Sequence, residues 1–375
     1  MARQLNLAWD SLISHYFHSR NRHLLFGNDA WLQPIAKIDT DWTMNLCITE
    51  ANPIPPGAVV SRIRTKDGIA LRVARWSCGE TCAGTVTILP GRAEFIEKYA
   101  EVVAELLARN FDVVVMDWRG QGGSDRLTSH PGKGHVGHFS AYQHDLEALR
   151  SEILEPFGRL PFFALGHSMA GAILLDQARA GRSAFERIVL TAPMIDLYQL
   201  RFARLAHGLA RGLAGLGLGR AFAPGAGGAT PYLARSFSGN VLTSDHLRFG
   251  RVASVVAAWP EIAIGAPTIG WANAAFRLMG RFRDAEYPRR VLTPVLIIGA
   301  GADAVVDTRA TEAFASRLKA GRCITLRHAQ HEIMLERDAI REQFWAAFDA
   351  FVPGSLKGVD PFATSLASAS ARDDA

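Results

Sequence analysis

Apolar residues change period along this chain, and each change predicts a different element. From Ala58 onward, VVSRIRT and IALRVARW alternate around Lys66-Asp67-Gly68, which predicts a β-hairpin closed by a glycine-containing turn. Short, nearly continuous apolar runs follow: TVTIL (85–89), FDVVVMD (111–117), PFFALG (161–166), RIVLTAP (187–193) and PVLIIG (294–299). Between them EFIEKYAEVVAELLARN, YQHDLEALRSEILEPF and AGAILLDQARA carry apolar positions at a spacing near 3.6, the period of an amphipathic helix. Strands without a polar face, alternating with helices, predict an α/β fold with a mostly parallel central sheet covered by helices on both faces.

That alternation stops between residues 195 and 290, where the chain is Gly/Ala-rich and helical in pattern, and PVLIIG then resumes the sheet. An excursion of this length between two strands predicts a helical cap inserted into the core. The expected organisation is an N-terminal extension (1–50), a core formed by 51–194 and 291–352, a cap (195–290), and a small, polar, disordered tail (353–375). The extension shows no clear strand or helix punctuation, and Met44, shortly before NPIPPG, is a candidate start of translation. Within the cap, Phe202, Leu205, Leu209, Leu213 and Leu216 fall on one helical face, with Arg201, Arg204 and Arg211 largely elsewhere. The stripe is expected to pack over the core, while a basic helix of this kind can also touch an anionic membrane surface.

Composition narrows the function classes. A 49% hydrophobic content supports a large core. The net charge of +5 favours anionic surfaces, but Lys and Arg are scattered without a long run, so nucleic acid is not an expected partner. Four cysteines are too few for a disulfide framework, and Cys78 and Cys82 have no second pair to complete a metal set. The first residues do not read as a signal peptide, and no apolar run reaches 18 residues. A cytoplasmic chain, at most peripheral to the inner membrane surface, is the expectation.

The sharpest chemical signal is Leu165-Gly166-His167-Ser168-Met169-Ala170-Gly171, placed between the strand PFFAL and the helix AGAILLDQARA. A serine at a tight strand-to-helix turn is held with its oxygen projecting outward, and small neighbours let strand and helix approach. Ala170 stands where glycine is usual. A helix-capping serine is the structural alternative. Activating a serine takes a base and an orienting carboxylate, and in this chain order the carboxylate follows the serine and the histidine comes last. Asp303, just beyond PVLIIG, is preferred to Asp307, which is placed to cap TRATEAFASRL. His331, between the strand CITLRH and the last helix, is preferred to His328 at the strand end. His135, His138 and His144 read as loop and helix-start residues rather than metal ligands. The backbone N–H groups of Met169 and of Arg92, in the loop Pro90-Gly91-Arg92-Ala93-Glu94, are the expected oxyanion donors, and the Arg92 side chain is placed to reach an anionic head group or simply the surface.

Together these residues resemble the monoacylglycerol lipase and bacterial lysophospholipase branch of the α/β-hydrolases. The blocks that carry the resemblance are Pro90–Glu94 with Tyr99, Asp117-Trp118-Arg119-Gly120-Gln121-Gly122-Gly123-Ser124, the elbow at Ser168, and Asp303 with Ala329-Gln330-His331-Glu332. Proline at position 90 is similar to the lysophospholipases, where monoacylglycerol lipases have histidine. Ala170 departs from the family glycine. The resemblance, spanning about residues 58–352, implies hydrolysis of one ester bond in a monoacyl lipid by a serine enzyme with no metal or organic cofactor. A broad short-acyl carboxylesterase and a catalytically silent ligand-binding relative, the latter suggested by Ala170 alone, are the alternatives. A dinucleotide-binding reading of Gly120, Gly122 and Gly123 lacks both the full glycine pattern and the helix that should open on it.

Overall fold

The computed structural model describes residues 44–199, 203–223 and 237–355, so nearly all of the expected extension and tail lie outside the described residues. The predicted hairpin forms: β1 (Val59–Arg64) pairs antiparallel with β2 (Ala70–Trp76), the strand to which β4 (Asp112–Met116) is also antiparallel. All remaining pairings are parallel, through β3 (Thr85–Leu89), β5 (Phe162–His167), β6 (Arg187–Thr191), β7 (Val295–Ala300) and β8 (Gly321–Leu326). The order across the sheet is β1-β2-β4-β3-β5-β6-β7-β8. Every residue of β3, β4, β5 and β7 is buried, as expected for strands sandwiched between helical layers.

Among the described residues the α-helices of eight residues or more are α1 (Ala100–Ala108), α2 (Ala141–Leu149), α3 (Met169–Arg179), α4 (Ala203–Gly215), α5 (His246–Ala258), α6 (Ile269–Phe282), α7 (Thr308–Ala315) and α8 (Asp338–Phe351). Helices α4, α5 and α6 occupy the stretch between β6 and β7. There α4 turns Ala206 and Ala210 inward while Leu205 and Leu216 are 53% and 78% exposed. The leucine stripe is therefore split: half-buried Leu209 packs against the core as expected, while Leu205 and Leu216 do not. Alanines permit the closer helix approach, and the larger side chains are left at its margin and outside. Phe202 and the side chain of Arg204 fall outside the described residues. The end of the expected extension joins the fold: Cys47 is buried, its N–H donates to Glu97 Oε1 (3.1 Å), and Asn52 Nδ2 donates to the Glu97 carbonyl (2.9 Å).

Parallel register sets the end at which chemistry can be assembled. Leu89 lies level with Gly166, His167 with Thr191, and Ala300 with Leu326, so the loops leaving β3, β5, β6, β7 and β8 share one rim. In an open α/β sheet this carboxyl rim is where ligands bind. The loop after β4 is braced underneath it. Asp117 Oδ2 accepts from Gly123 N–H (2.7 Å) and Arg72 Nε (2.7 Å), and Arg72 Nη1 and Nη2 reach the Glu97 carboxylate at 2.9 Å each. Gly122 has φ +57°, and a Cβ there would lie 2.1 Å from Asp117 Cγ. The glycines that resembled a dinucleotide loop thus serve the wrapping of backbone around a buried carboxylate. Replacing Gly122 with alanine is expected to destabilise the protein by about 3 kcal/mol, read as a lower urea midpoint at unchanged slope.

Candidate functional site

Ser168 sits between β5 and α3 with φ +49° and ψ −109°. Its side chain makes no cap hydrogen bond to the helix, so the helix-capping alternative does not hold. The strained backbone is fixed by neighbours: Ser168 N–H donates to the Thr191 carbonyl (3.0 Å), and the Ser168 carbonyl accepts from Gly171 and Met194 N–H at 3.0 Å each. Such conformations persist only where the surroundings over-determine them. The close crossing falls on Gly166 and Gly171, where an added Cβ would meet Leu174 and Pro193 at 2.6 Å. Ala170 is fully buried one position earlier, so its methyl is accommodated and lends no support to a disabled elbow.

The three side chains singled out from distant parts of the sequence meet at this rim. His331 Nε2 lies 3.1 Å from Ser168 Oγ, and His331 Nδ1 lies 2.8 Å from Asp303 Oδ2. The other Asp303 oxygen accepts from the N–H groups of Val305 (2.7 Å) and Val306 (2.9 Å), which locks the carboxylate in its loop. With the Nδ1 proton donated to Asp303, the Nε2 lone pair faces the serine hydroxyl. Burial disfavours the charged imidazole, but the Asp303 carboxylate, joined by Glu332 and Glu94, outweighs it and raises the His331 pKa above the ordinary value. Asp307 does cap its helix, accepting from Ala310 N–H (3.0 Å), and His328 is exposed rather than packed.

The loop Pro90–Glu94 faces the elbow and is held largely by groups that stand in the resemblance blocks but to which the sequence assigned no role. Gln121 Nε2 donates to the carbonyls of Gly91 (2.7 Å) and Glu94 (3.0 Å), and its Oε1 accepts from Ala93 N–H (3.3 Å). Trp118 Nε1 donates to the Pro90 carbonyl (2.8 Å). Beneath the loop the buried Glu94 carboxylate accepts from Gly91 N–H, Tyr99 OH (2.6 Å) and Lys98 Nζ (2.7 Å), and Lys98 also reaches Glu332 Oε1 (2.6 Å). His167 stacks obliquely on His331 with ring centroids 4.8 Å apart, and its Nδ1 lies 3.0 Å from Thr191 Oγ1. Burial pushes its pKa down to about 3. The i,i+4 spacing of Glu94 and Lys98, and a histidine beside the elbow serine, were the available signals. Arg92 departs from both expectations for its side chain: Nη2 donates to the Gly265 carbonyl (2.8 Å), and the guanidinium lies 5.1 Å from the Trp271 ring centroid.

At the other end of the sheet, the ligand-type atoms of Cys78, Cys82 and Asp112 lie within 4.8 Å of one another. The Asp112 carboxylate there accepts from Cys78 N–H (2.9 Å) and Arg159 Nε (2.7 Å), and burial pushes the Cys78 thiol up to about 12. No helix among the described residues is long and apolar enough to cross a membrane.

The family model described as "Serine aminopeptidase, S33" (Hydrolase_4) matches residues 80–338. Lysophospholipase L2 of Escherichia coli K12 is 33% identical over 277 residues, covering 68% of this chain and 76% of that protein. Among solved structures, a soluble variant of monoglyceride lipase from Saccharomyces cerevisiae is similar with a TM-score of 0.62 at 18% identity, covering 79% of this chain and 95% of that one. A carboxyl esterase from Bacillus coagulans is similar with a TM-score of 0.63 at 17% identity, covering 80% and 99%.

The two neighbouring imidazoles are expected to titrate oppositely. In a histidine NMR titration, the His331 midpoint should lie above 6.5, and His167 should remain neutral down to at least pH 5. In Asp303→Asn the desolvation that lowers the His331 pKa is opposed only by the more distant Glu332 and Glu94, so that midpoint should fall. An unchanged midpoint would contradict the electrostatic account.

Proposed function

The chain belongs to the Hydrolase_4 family of α/β-hydrolases, and on that premise we propose that it hydrolyses the ester of a monoacyl lipid, a lysophospholipid or monoacylglycerol, through a Ser168 acyl-enzyme. The observation that carries the mechanism is the unbroken line from Ser168 Oγ to His331 Nε2 (3.1 Å) and from His331 Nδ1 to Asp303 Oδ2 (2.8 Å). His331 takes the hydroxyl proton as Ser168 Oγ bonds to the ester carbonyl carbon. Asp303 holds the imidazole in the tautomer that can accept it and stabilises the imidazolium. The tetrahedral oxyanion is received by the N–H groups of Met169, at the head of α3, and Arg92. Donors of this kind contribute most when already fixed in place, and losing one typically costs about 10²–10³ in rate. Collapse returns the proton to the leaving alcohol, and water repeats the sequence to free the fatty acid. These steps use only the protein's own groups and water.

The lipid reading is supported by the 33% identity to lysophospholipase L2. The family's peptidase description and the similarity to a carboxyl esterase make amides and short esters the natural comparison substrates. Ser168→Ala is expected to lower turnover of lysophospholipid and monoacylglycerol by at least about 10⁴-fold and to abolish labelling by a fluorophosphonate probe. Preference for short nitrophenyl esters or aminoacyl amides over both lipids would reject the lipid assignment while leaving the acyl-enzyme intact.

The same reading gives the exposed leucines a partner. We place the segment 195–290 as a cap over the rim, and its outer α4 face, with Leu205 and Leu216 beside Leu218 (48% exposed), as a contact for the surface of an anionic membrane from a cytoplasmic position. Exposed Arg211 and Arg220 supply the basic complement. In flotation assays the protein is expected to rise with vesicles containing anionic lipid and not with neutral ones. Changing all three leucines to aspartate should remove that binding, and equal flotation of the variant would sink the assignment.

A further inference from the structure

The residue whose N–H is assigned to the oxyanion is also the one that grips the inserted segment. The two backbone positions flanking Arg92 are fixed from the core side: the Gly91 carbonyl accepts from Gln121 Nε2 at 2.7 Å, and Ala93, at φ +63°, donates its N–H to Gln121 Oε1 at 3.3 Å. The Arg92 side chain runs the opposite way. It donates to the Gly265 carbonyl (2.8 Å) and lies against Trp271 in the first turn of α6. Those two groups are themselves tied down. Gly265 N–H donates to the Gly132 carbonyl (2.9 Å), and Trp271, 9% exposed, donates through Nε1 to Tyr142 OH (3.1 Å). Packing around the guanidinium is tight: a Cβ at Gly134 would lie 2.2 Å from Ile264 Cδ1 and 3.6 Å from Arg92 Nη2.

We propose that the Arg92 side chain is a positioning group which couples the seating of the cap to the geometry of the oxyanion site. This inference rests on the acyl-enzyme reading above. The Gly91 carbonyl and the Arg92 N–H belong to one planar peptide, so the Gln121 hydrogen bond aims the donor, and the side chain anchored at Gly265 and Trp271 holds the Arg92 end of that plane against tilting about this single bond. With the cap seated the donor points at the rim; with the cap displaced the anchor is lost and the donor is free to tilt. A misplacement of about 1 Å in a reacting geometry is enough to cost on the order of 10²-fold. The coupling acts on the transition state, where the oxyanion has formed, and little on substrate binding. It is therefore distinct from a head-group contact by the same guanidinium, which would weaken binding of phosphate-bearing substrates alone.

The test measures kcat and KM for lysophospholipid, monoacylglycerol and a neutral short nitrophenyl ester with wild type, Arg92→Met, Arg92→Lys, Trp271→Leu, the Arg92→Met/Trp271→Leu pair and Ser168→Ala. Arg92→Met should lower kcat by about 10- to 100-fold on all three substrates with KM altered less than about threefold. Arg92→Lys, which can still reach the Gly265 carbonyl, should recover most of that loss. The double variant should lose about as much as the worse single one, because both changes break the same anchor. Unchanged kcat in Arg92→Met, a KM increase confined to the lysophospholipid, or multiplying losses in the pair would each overturn the coupling. Urea midpoints report folding, and should Arg92→Met not fold, Trp271→Leu and Arg92→Lys decide by the same kcat criterion. If Ser168→Ala retains turnover the acyl-enzyme reading fails; if it is inactive while Arg92→Met is unimpaired, only the coupling does.

Discussion

The hydrogen bond from His331 Nδ1 to Asp303 is the contact on which the chemistry of the rim depends. It joins residues 28 positions apart in the chain, on loops that leave adjacent parallel strands β7 and β8. An imidazole buried without it would be neutral in either tautomer, and only one tautomer presents a lone pair to Ser168. The carboxylate settles that choice and, in the proposed mechanism, compensates the positive charge formed when the serine proton is transferred. Two backbone N–H groups on its second oxygen keep Asp303 in place. A carboxylate satisfied in this way costs less to bury and holds its direction.

A second constraint is how the loop opposite the elbow keeps its shape. Its backbone polar groups are met by Gln121, Trp118 and Glu94, none of which faces Ser168 through a hydrogen bond. Gln121 and Trp118 belong to the glycine-rich segment that wraps Asp117, so this motif supports the reaction from behind. Arg72 closes the arrangement by binding both Asp117 and Glu97, the latter also receiving the segment around Cys47. Removing a charge from such a fully desolvated set leaves the remainder uncompensated. Contacts far from the serine therefore determine where the loop amides point.

Much of this arrangement was legible in the residues themselves. The hairpin, the parallel strands and the alternating helices followed from apolar period, because fully buried strands and amphipathic helices have different repeat lengths. Ser168, Asp303 and His331 were recognisable since each occupies a loop just past a strand end, and parallel strands put those ends together. The direction of side chains within loops was less accessible. Arg92 looked free because nothing in local spacing pairs it with Gly265 or Trp271, some 170 positions away. Helix α4 misled in part: Leu209 of the stripe does pack against the core, yet the face turned fully inward is that of the alanines, because close helix approach favours small side chains. Leu205 and Leu216 consequently remain outside.

His167 and His331 show why burial alone does not assign chemistry. Both rings are almost wholly removed from water and stand 4.8 Å apart, yet their affinities for protons are driven in opposite directions. His331 is bonded to a carboxylate at 2.8 Å, whereas His167 has Glu94 at 3.5 Å with that carboxylate already partnered by Lys98. For His167 the cost of burying charge is larger than this attraction, and the positive potential of Lys98 and of a protonated His331 adds to it. A neutral His167 is thus an apolar, hydrogen-bonded wall against which the imidazolium of His331 can form without like-charge repulsion. Glu94 and Glu332, both bridged by Lys98, sit near enough to favour that imidazolium in their turn. The rim holds one imidazole ready to accept a proton because the other is kept from doing so.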